Sequence, residues 1–533
     1  MPDLAIIPEA GGVDSRWDTP IRYNCLRMER LAVSILLRPR DESQEVLLVD
    51  RNPKLAFFGG YQAFPGGTLE PEDAKAPIEN LPDAGKGLGD DYPAFVAAAA
   101  RELFEETGVW FGRGSDRSER SLEEDRRRML AGEVTFDQIL RETGQHIDAE
   151  DFTPLCRITT PPFTPRRYDT WFLQCRLPEG AKVDVIPGEL MGGGFARPAD
   201  ALDRWRRGEV LIVPPVVIFL HGLVRTSQEA FVGWARSFTD SYSRGILHRV
   251  YFTPGVLLAA LKTPTRPPAT HTNTYLVGEE RVYVVDPAPV DPLEQKKLWH
   301  LLDQLVSEGR SLQGILLTHY HPDHVGAVAE CQSRYRLPVH AHRDTVAQLP
   351  DIRFADSLEH GQALDLGTSP DGQPGWKLGA YHVPGHAPGH LAFQESRYQA
   401  LIAGDLLSTL SPILIDPRDG HLATYLKSLQ FLESIAEGTV YPGHGPPARE
   451  GRKAIRMALG HRQEREAQLL AALSHESQAV EVLVSKIYQD VDKSIWELAG
   501  RSLVSGLIKL QEEGRVQEKE GGYCLSGAAS GDR

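Results

Sequence analysis

Four side chains of metal-ligand type lie within one short segment of the chain. His319 and His321 follow an apolar run that ends at Leu317, and Asp323 and His324 lie in the turn that comes next. Residues two apart in an extended segment point to the same face, so the two imidazole rings can converge from one side. Imidazole with carboxylate is a donor set that zinc and similar transition metals favour. The segment therefore predicts a transition-metal site.

Three later turns carry residues that would complete such a site for two ions. Two are Pro-Gly-His turns, at 384–386 and 442–444, and the third is the Gly-Asp pair at 404–405. The first ion is predicted to lie between His319, His321 and His386, the second between Asp323, His324 and His444, and Asp405 is predicted to bridge them.

Two ions held in this way would give the chain hydrolytic chemistry. Cations roughly 3.5 to 4 Å apart hold a hydroxide nucleophile at neutral pH and stabilise the oxyanion that its attack creates. We expect Asp323 to take part in catalysis as well as to bind metal. A lone histidine is usually a surface or capping residue, but five such histidines in one chain order favour a built site.

A second set of chemical residues lies between Arg101 and Val109. Glu102, Glu105 and Glu106 share one face of a predicted helix, and an oxygen-only cluster favours magnesium or manganese, ions that partner diphosphates. A solvated acidic helix face is the alternative for these glutamates taken alone. The upstream Phe-Pro-Gly-Gly run at 64–67, and a glycine at 108 where a helix should end, favour a site.

The elements that position these residues must belong to several domains, because 533 residues exceed what one core can organise. The composition, 41% hydrophobic and 25% charged, is ordinary for a soluble protein. A formal net charge of −15 repels phosphate backbones and weighs against non-specific nucleic-acid binding. Five scattered cysteines, the lack of a basic N-terminal start and the shortness of every apolar run predict a cytoplasmic protein without a membrane segment.

Hydrophobic patterning differs among three regions. Up to about residue 224, short apolar runs around one alanine-rich helix predict a small mixed sheet with flanking helices. Between 275 and 445, strand runs end repeatedly in turns that bear histidine or aspartate, and after 447 helices are followed by a strand pair, as in a winged helix. The predicted divisions are an N-terminal extension 1–26, a first domain 27–232, a connector 233–246, a second domain 247–450, a third domain 451–526 and a tail 527–533.

With all its ligand motifs present, the histidine-rich region resembles the metallo-beta-lactamase superfamily. The resemblance implies an αββα sandwich that binds two zinc ions or other transition metals. Residues 272–278 and 441–446, with the winged-helix-like end, resemble the beta-lactamase-like protein 2 branch more narrowly. This implies that Asn273 is a supporting residue and that Asp286 is a buried carboxylate behind a ligand, with a plain turn aspartate as the alternative. Structural roles are predicted for the neighbouring histidines His340, His342, His382 and His390.

Residues 101–109 resemble the second half of the Nudix box, GX5EX7REUXEEXGU, and Gly67 matches its first glycine. The resemblance implies an α/β/α sandwich that hydrolyses a nucleoside diphosphate linked to another moiety. It also implies that Glu105, Glu106 and the Gly66 carbonyl bind Mg²⁺ or Mn²⁺, that Glu102 orients or deprotonates water, and that Arg101 is structural.

The box departs from its pattern in two places. Asp73 stands at the first acidic position, and about twenty extra residues separate it from Arg101, so that a broken box is one interpretation. A similar insertion occurs in the peroxisomal coenzyme A diphosphatase branch, which Pro53, the segment 165–170 and the Pro-Pro pair at 214–215 also resemble. Glu189 would then be an extra metal carboxylate, with an ordinary surface role as the alternative.

Three functions remain open at this point. The favoured one is a small-molecule hydrolase, in which the histidine site cleaves an ester or thioester and the Nudix-like site cleaves a coenzyme A-type diphosphate. A single-strand endoribonuclease is the second, because the beta-lactamase-like protein 2 branch includes that activity. RNA is not favoured, since residues 451–533 hold twelve basic and twelve acidic side chains. A Nudix-like module that only binds a regulatory ligand is the third, and the oligomeric state is left open.

Overall fold

The structure is a computed structural model that describes residues 28–40, 43–55, 58–82, 88–160, 167–239, 241, 244–489 and 493–526. The predicted N-terminal extension 1–26 and tail 527–533 lie outside these residues, as do Cys25 and the first residues of the segment 165–170. No helix within the described ranges combines the length and the apolar character needed to cross a membrane.

The first region contains an eight-stranded mixed sheet with helices on both faces, and a separate small sheet formed by its fifth, sixth and seventh strands. Its strands are β1 (Glu29–Arg40), β2 (Ser43–Arg51), β3 (Tyr61–Ala63), β4 (Gly66–Thr68), β5 (Ile78–Glu79), β6 (Gly112–Arg113), β7 (His146–Asp148), β8 (Thr153–Thr159), β9 (Tyr168–Arg176), β10 (Leu190–Ala196) and β11 (Leu211–Ile212). Its helices are α1 (Tyr92–Thr107), α2 (Glu119–Leu130), α3 (Phe136–Glu142), α4 (Pro198–Arg206), α5 (Pro214–Arg225) and α6 (Gln228–Arg236).

The central strand β1 shows why this sheet is covered on both sides. It pairs antiparallel with β2 and parallel with β9, in the order β11-β3-β2-β1-β9-β8. Ala32 and Leu36 enter the core that α1 covers, whereas Ile35 and Leu37 enter the opposite core with α5. Helix α1 ends at Gly108 in the left-handed conformation, with φ 72°, which confirms the predicted helix end.

The second region is built on two further sheets. Its strands are β12 (Val250–Thr253), β13 (Val256–Lys262), β14 (His271–Val277), β15 (Arg281–Val285), β16 (Ser311–Leu316), β17 (Val339–His340), β18 (Ala363–Thr368), β19 (Pro374–His382), β20 (Leu391–Glu395), β21 (Leu401–Ser408) and β22 (Val440–His444). Its helices are α7 (Pro292–Ser307), α8 (Pro322–Val325), α9 (Val328–Tyr335), α10 (Arg343–Val346) and α11 (Leu422–Ile435).

These elements form four layers. The sheets β12-β13-β14-β15-β16-β17 and β18-β19-β20-β21-β22 enclose one core, which contains Tyr275, Phe393 and Tyr441. A second core lies between the outer face of the first sheet and α7, and a third lies between the other sheet and α11. The parallel pairs β15–β16 and β21–β22 bring two strand ends to the same edge of each sheet. This edge carries the predicted ligands.

The third region packs against the second through a long helix. It consists of α12 (Gly451–Ala472), α13 (Val480–Ile487), α14 (Trp496–Glu512), β23 (Val516–Lys519) and β24 (Gly522–Leu525). Ile455 of α12 lies in the core shared with α11, whereas Leu469 of the same helix lies in the core of the third region with Leu507.

The first and second regions share a hydrophobic core. Phe219 of α5, Leu261 of β13 and Leu298 of α7 belong to one contiguous buried cluster, so that α5 covers part of the outer face of the second region's sheet. Helix α6 runs to Arg236, across the predicted boundary at residue 232. The two regions therefore form one packed unit rather than two bodies on a linker.

Candidate metal centres

The fold brings all seven predicted histidine and aspartate ligands of the second region together. They lie at the ends of elements, because a side chain there can turn towards a common point while the backbone stays paired. His319 and His321 follow β16, Asp323 and His324 lie in α8, His386 lies between β19 and β20, Asp405 is in β21, and His444 ends β22.

Three histidines form the first ligand group. The Nδ1 atom of His321 lies 3.0 Å from the Nε2 atom of His319 and 3.0 Å from the Nε2 atom of His386. These three ring nitrogens face one point, and hydrogen bonds among themselves cannot give each of them a partner. Burial and the neighbouring histidines hold the pKa of His319 well below its usual range, so its ring is neutral, as a ligand must be.

The outer nitrogen of each ring in this group is held by a separate contact. The Oγ1 atom of Thr318 lies 2.9 Å from Nδ1 of His319, and the carboxylate of Asp419 lies 2.9 Å from Nε2 of His321. The carbonyl of Leu414 lies 3.1 Å from Nδ1 of His386. Contacts of this kind fix the ring orientation and the tautomer of metal-binding histidines.

Asp323, His324 and His444 form the second group, and Asp405 lies between the two groups. The Oδ1 atom of Asp405 lies 3.3 Å from Nε2 of His324 and 3.4 Å from Nε2 of His444, while its Oδ2 atom lies 3.6 Å from Nε2 of His386. Asp323 lies 3.5 Å from His444. One carboxylate thus faces both groups, which is the arrangement expected of a bridging ligand.

The donors of this centre fit a pair of transition-metal ions. Nε2 of His324 and Oδ1 of Asp405 are buried, and neither has a hydrogen-bond partner among the described residues. Burial would raise the pKa of Asp405, but His444 and His324 hold it well below its usual range. Buried polar atoms are rarely left unpaired in folded proteins, and a bound cation would satisfy both.

The predicted supporting residues touch the ligand segments directly. Asp286 accepts hydrogen bonds from the backbone and the hydroxyl of Thr318, at 2.7 and 2.6 Å, and lies 2.8 Å from Nδ1 of His324. The amide of Asn273 donates to the carbonyls of Pro442 and Gly445, at 2.9 and 2.8 Å. Each residue therefore holds a ligand-bearing turn.

Of the histidines with predicted structural roles, His390 contacts the ligands directly, and the other three have partners outside the ligand set. Nε2 of His390 accepts a hydrogen bond of 3.1 Å from the backbone of Asp405, and its ring stacks on His319. His342 and His382 stack on each other with ring centroids 3.9 Å apart. His340 lies 3.3 Å from the carbonyl of Asp356.

Sequence reasoning missed Asp419 and the loop that carries it. The loop between β21 and α11 presents both Asp419 and the Leu414 carbonyl to the ligands, and α14 of the third region holds it in place. Ser505 donates to the carbonyl of Ile415 at 2.6 Å, and Arg501 lies 3.2 Å from Asp416. No local motif marks these contacts, although the aspartate-rich run at 416–419 is visible in the sequence.

Replacing Asp419 by alanine is expected to lower the affinity for zinc by about 10- to 100-fold, because the ring of His321 loses the contact that orients it. Chelator competition followed by metal analysis measures this affinity. Asp365→Ala is the matched control, since Asp365 is an exposed aspartate paired with Arg281. Equal zinc affinity in the two variants would contradict an orienting role for Asp419.

The second candidate centre is organised around Arg101 of α1. Its guanidinium is buried and forms a two-pronged pair with Asp73, at 2.9 and 3.1 Å. The same group donates to Glu102 at 2.8 Å and to Glu105 at 3.2 Å. Asp73, the unusual residue at the first acidic position, therefore lies next to Arg101 despite the insertion between them.

Two of the glutamates of α1, Glu102 and Glu106, lie against the glycine turn. Glu106 accepts a hydrogen bond of 3.0 Å from the backbone of Gly66, and a Cβ atom on Gly67 would collide with the carboxylate of Glu102. Burial raises the pKa of Glu102 to about 7, and burial together with Glu102 raises that of Glu106 well above its usual range.

These oxygen donors suit a hard divalent cation, which would relieve the mutual repulsion of the carboxylates. Within the described residues, however, no three of them have ligand atoms within 4.8 Å of one another, unlike the histidine groups. Arg101 lies between Glu102 and Glu105 instead. Glu189 is exposed and lies 3.2 Å from Arg51, at the edge of this centre.

Replacing Asp73 by alanine is expected to destabilise the protein by about 3 kcal/mol, because it removes one partner of a buried ion pair and leaves Arg101 undercompensated. Urea denaturation followed by tryptophan fluorescence measures the change in the free energy of unfolding. Glu72→Ala is the control, since Glu72 makes only a surface pair with Lys75. A shift no larger than that of the control would contradict this role for Asp73.

Both candidate centres open into one cavity of about 3030 Å³. Its wall includes Gly66, Glu102 and Glu106 on one side and His321, Asp405 and His444 on the other.

Family models match three stretches of the chain. The NUDIX domain matches residues 28–155, the Metallo-beta-lactamase superfamily matches residues 267–444, and the Beta-lactamase associated winged helix domain matches residues 479–523.

Curated proteins and solved structures are similar to parts of the chain. A Drosophila melanogaster protein named Beta-lactamase-like protein 2 homolog is 29% identical over 262 residues, which cover 46% of this chain and 84% of that protein. A Claviceps purpurea protein named Atrochrysone carboxyl ACP thioesterase is 29% identical over 277 residues, or 51% and 84% of the two chains. A metallo-beta-lactamase family protein of Thermus thermophilus is 24% identical, with a TM-score of 0.42 over 51% of this chain and 98% of that chain. A NUDIX hydrolase of Alicyclobacillus acidocaldarius is 25% identical, with a TM-score of 0.34 over 39% and 96%.

Proposed function

We propose two hydrolytic activities for this chain, which is a hydrolase that joins a NUDIX domain, a metallo-beta-lactamase superfamily domain and a beta-lactamase associated winged helix domain. The metallo-beta-lactamase domain cleaves an ester or thioester of a small molecule. The NUDIX domain cleaves a nucleoside diphosphate of the coenzyme A type. The family models confirm the Nudix, metallo-beta-lactamase and winged-helix resemblances drawn from the sequence, and the substrates are the part that we propose.

The position of Asp405 carries the first activity. Its two oxygens face two ligand groups, so the seven side chains would hold a pair of zinc or similar ions at the cavity wall. Such ions supply Lewis acidity and lower the pKa of water at the site. Thr318, Asp419 and the Leu414 carbonyl keep three rings in place while the substrate binds. A relative named as a thioesterase supports an acyl substrate.

The second activity is supported by the glutamates of α1 and the glycine turn that faces them. Glu105, Glu106 and the Gly66 carbonyl would hold Mg²⁺ or Mn²⁺, and Glu102 would orient water or accept its proton. Arg101 positions Glu102 and Glu105 through its two hydrogen bonds.

A substrate panel with metal analysis tests both activities. The purified protein, loaded with zinc and magnesium, is assayed against acetyl-coenzyme A, a glutathione thioester, a lactone, coenzyme A, ADP-ribose and an unstructured RNA. We expect thioester hydrolysis that His321→Ala abolishes and diphosphate hydrolysis that Glu105→Gln abolishes. Matched controls are His300→Ala and Glu123→Gln, which change exposed residues of α7 and α2.

Other results of the panel would replace the proposal. RNA cleavage lost in His321→Ala, without thioester turnover, would identify an endoribonuclease. Coenzyme A binding without cleavage would make the NUDIX domain a ligand-binding module.

A further inference from the structure

The wall between the two centres is built from both domains. The ring of Phe58 stacks on Phe252 across the domain boundary, with centroids 6.2 Å apart. Arg449 lies over the ring of Tyr61, at 5.5 Å, and donates a hydrogen bond to the carbonyl of Gly59. All five residues line the cavity, so its wall between the two centres is a packed interface of both domains.

Lys54 and Arg266 are cations on opposite sides of the cavity wall. Lys54 follows β2 on the NUDIX side, and Arg266 lies between β13 and β14 on the other side; both are exposed. Neither forms an ion pair with a carboxylate of the described residues. Arg266 adjoins Thr265, whose hydroxyl lies 3.5 Å from Nε2 of His444. Free cations beside two metal centres favour a ligand that carries phosphate groups.

The size of the cavity indicates a long ligand. Ordinary small-molecule pockets have volumes of about 300 to 1,000 Å³. The cavity here, at about 3030 Å³, is several times larger and reaches both centres. A molecule that fills it can present different bonds to each.

Resting on the proposed function, we propose that both centres act on one ligand class, a nucleoside diphosphate that carries an acyl thioester, without release between the two cleavages. At the histidine centre, water adds its oxygen to the acyl carbon, the carbon–sulfur bond breaks, and the sulfur takes a proton. At the NUDIX centre, water adds its oxygen to one phosphorus, and the bridging oxygen leaves with the other phosphate. The products are a carboxylic acid, a phosphorylated thiol and a nucleotide.

The volume of the cavity sets the expected advantage of an intermediate that is not released over one that is free in solution. One molecule held in about 3030 Å³ has a local concentration of roughly 0.5 M. A millimolar pool of free thiol in solution would therefore compete poorly for the NUDIX centre.

Isotope dilution tests the inference. The intact protein receives acetyl-coenzyme A labelled in its adenosine moiety, together with a tenfold excess of unlabelled coenzyme A, and the label in the nucleotide product is measured. The control is an equimolar mixture of His321→Ala and Glu105→Gln full chains, in which each protein keeps one activity and must exchange the intermediate through solution. His386→Ala replaces His321→Ala if that variant does not fold. We expect at least about fivefold more label in the product of the intact protein.

The outcomes separate this inference from the proposed function. In one outcome, each single-site variant performs the reaction of the centre that it keeps, but the intact protein dilutes the label as much as the mixture does. This outcome would contradict transfer within the cavity and would leave the two proposed activities unaffected. If either reaction is absent in the intact protein, the proposed function fails, and this inference fails with it. Lys54→Glu and Arg266→Glu are each expected to raise the KM for acetyl-coenzyme A about tenfold. An unchanged KM in both variants would contradict the proposed contacts of these side chains with phosphate groups.

Discussion

Asp405→Asn is expected to lower the kcat/KM of thioester hydrolysis by at least about a thousandfold. The loss of several kcal/mol of stabilisation from a metal pair corresponds to a change of this size. An amide has about the same shape as the carboxylate, but it carries no charge and cannot offer an anionic oxygen to both ligand groups. Metal analysis should find at most one ion in the purified variant, whereas we expect two in the parent protein.

The control for this variant is Asp371→Asn, which removes a carboxylate whose side chain is also buried. Asp371 pairs with Arg397 in the turn between β18 and β19 and does not line the cavity. If both variants lost activity to the same extent, general destabilisation would explain the result. Full metal content with unchanged kcat/KM in Asp405→Asn would show that Asp405 does not bridge two ions.

The ligand set of this centre could be predicted because its information is local. His319, His321, Asp323 and His324 lie in one segment, and the two Pro-Gly-His turns repeat a recognisable pattern. The structure shows why the turn needs glycine: a Cβ atom on Gly443 would collide with the carboxylate of Asp405. These side chains meet in the structure, and their roles as ligands stay a prediction until metal is measured.

The groups behind the ligands could not be predicted. Asp419 and the Leu414 carbonyl lie in an irregular loop, and their position depends on Ser505 and Arg501, which follow about ninety residues later. The residues Leu503, Leu507 and Leu510 of α14 have helical spacing and pack in the core of the third region. This spacing cannot show that the polar face of the same helix holds the loop.

The contacts between the first two domains could not be predicted from the sequence either. The sequence places a connector at 233–246, whereas α5 and α6 pack into a core shared with β13 and α7. The sequence does not show whether the apolar residues on a helix face pack against the sheet of their own domain or against the next domain. The cavity that joins the two centres follows from this packing.

Glu102→Gln is expected to lower the kcat of diphosphate hydrolysis by about 10²- to 10⁴-fold, the range for loss of a positioned general base. The substitution keeps the shape of a side chain that faces Gly67 across the cavity wall, so binding of the nucleotide should change little. Thioester hydrolysis by the same variant should stay within about twofold of the parent rate, because an independent set of side chains performs it. Parallel assays with coenzyme A and a glutathione thioester measure both rates in one preparation.

The comparison of three variants assigns the role of Glu102. Glu123→Gln, on the exposed face of α2, controls for the loss of one acidic group from the domain. Glu105→Gln should lower both magnesium affinity and kcat, whereas Glu102→Gln should lower kcat with magnesium affinity nearly unchanged. If Glu102→Gln weakened magnesium binding as much as Glu105→Gln did, Glu102 would be a ligand rather than the base. If it changed neither, the hydrogen bond from Arg101 would be its whole contribution, and the proton would have to be accepted by another group at this wall.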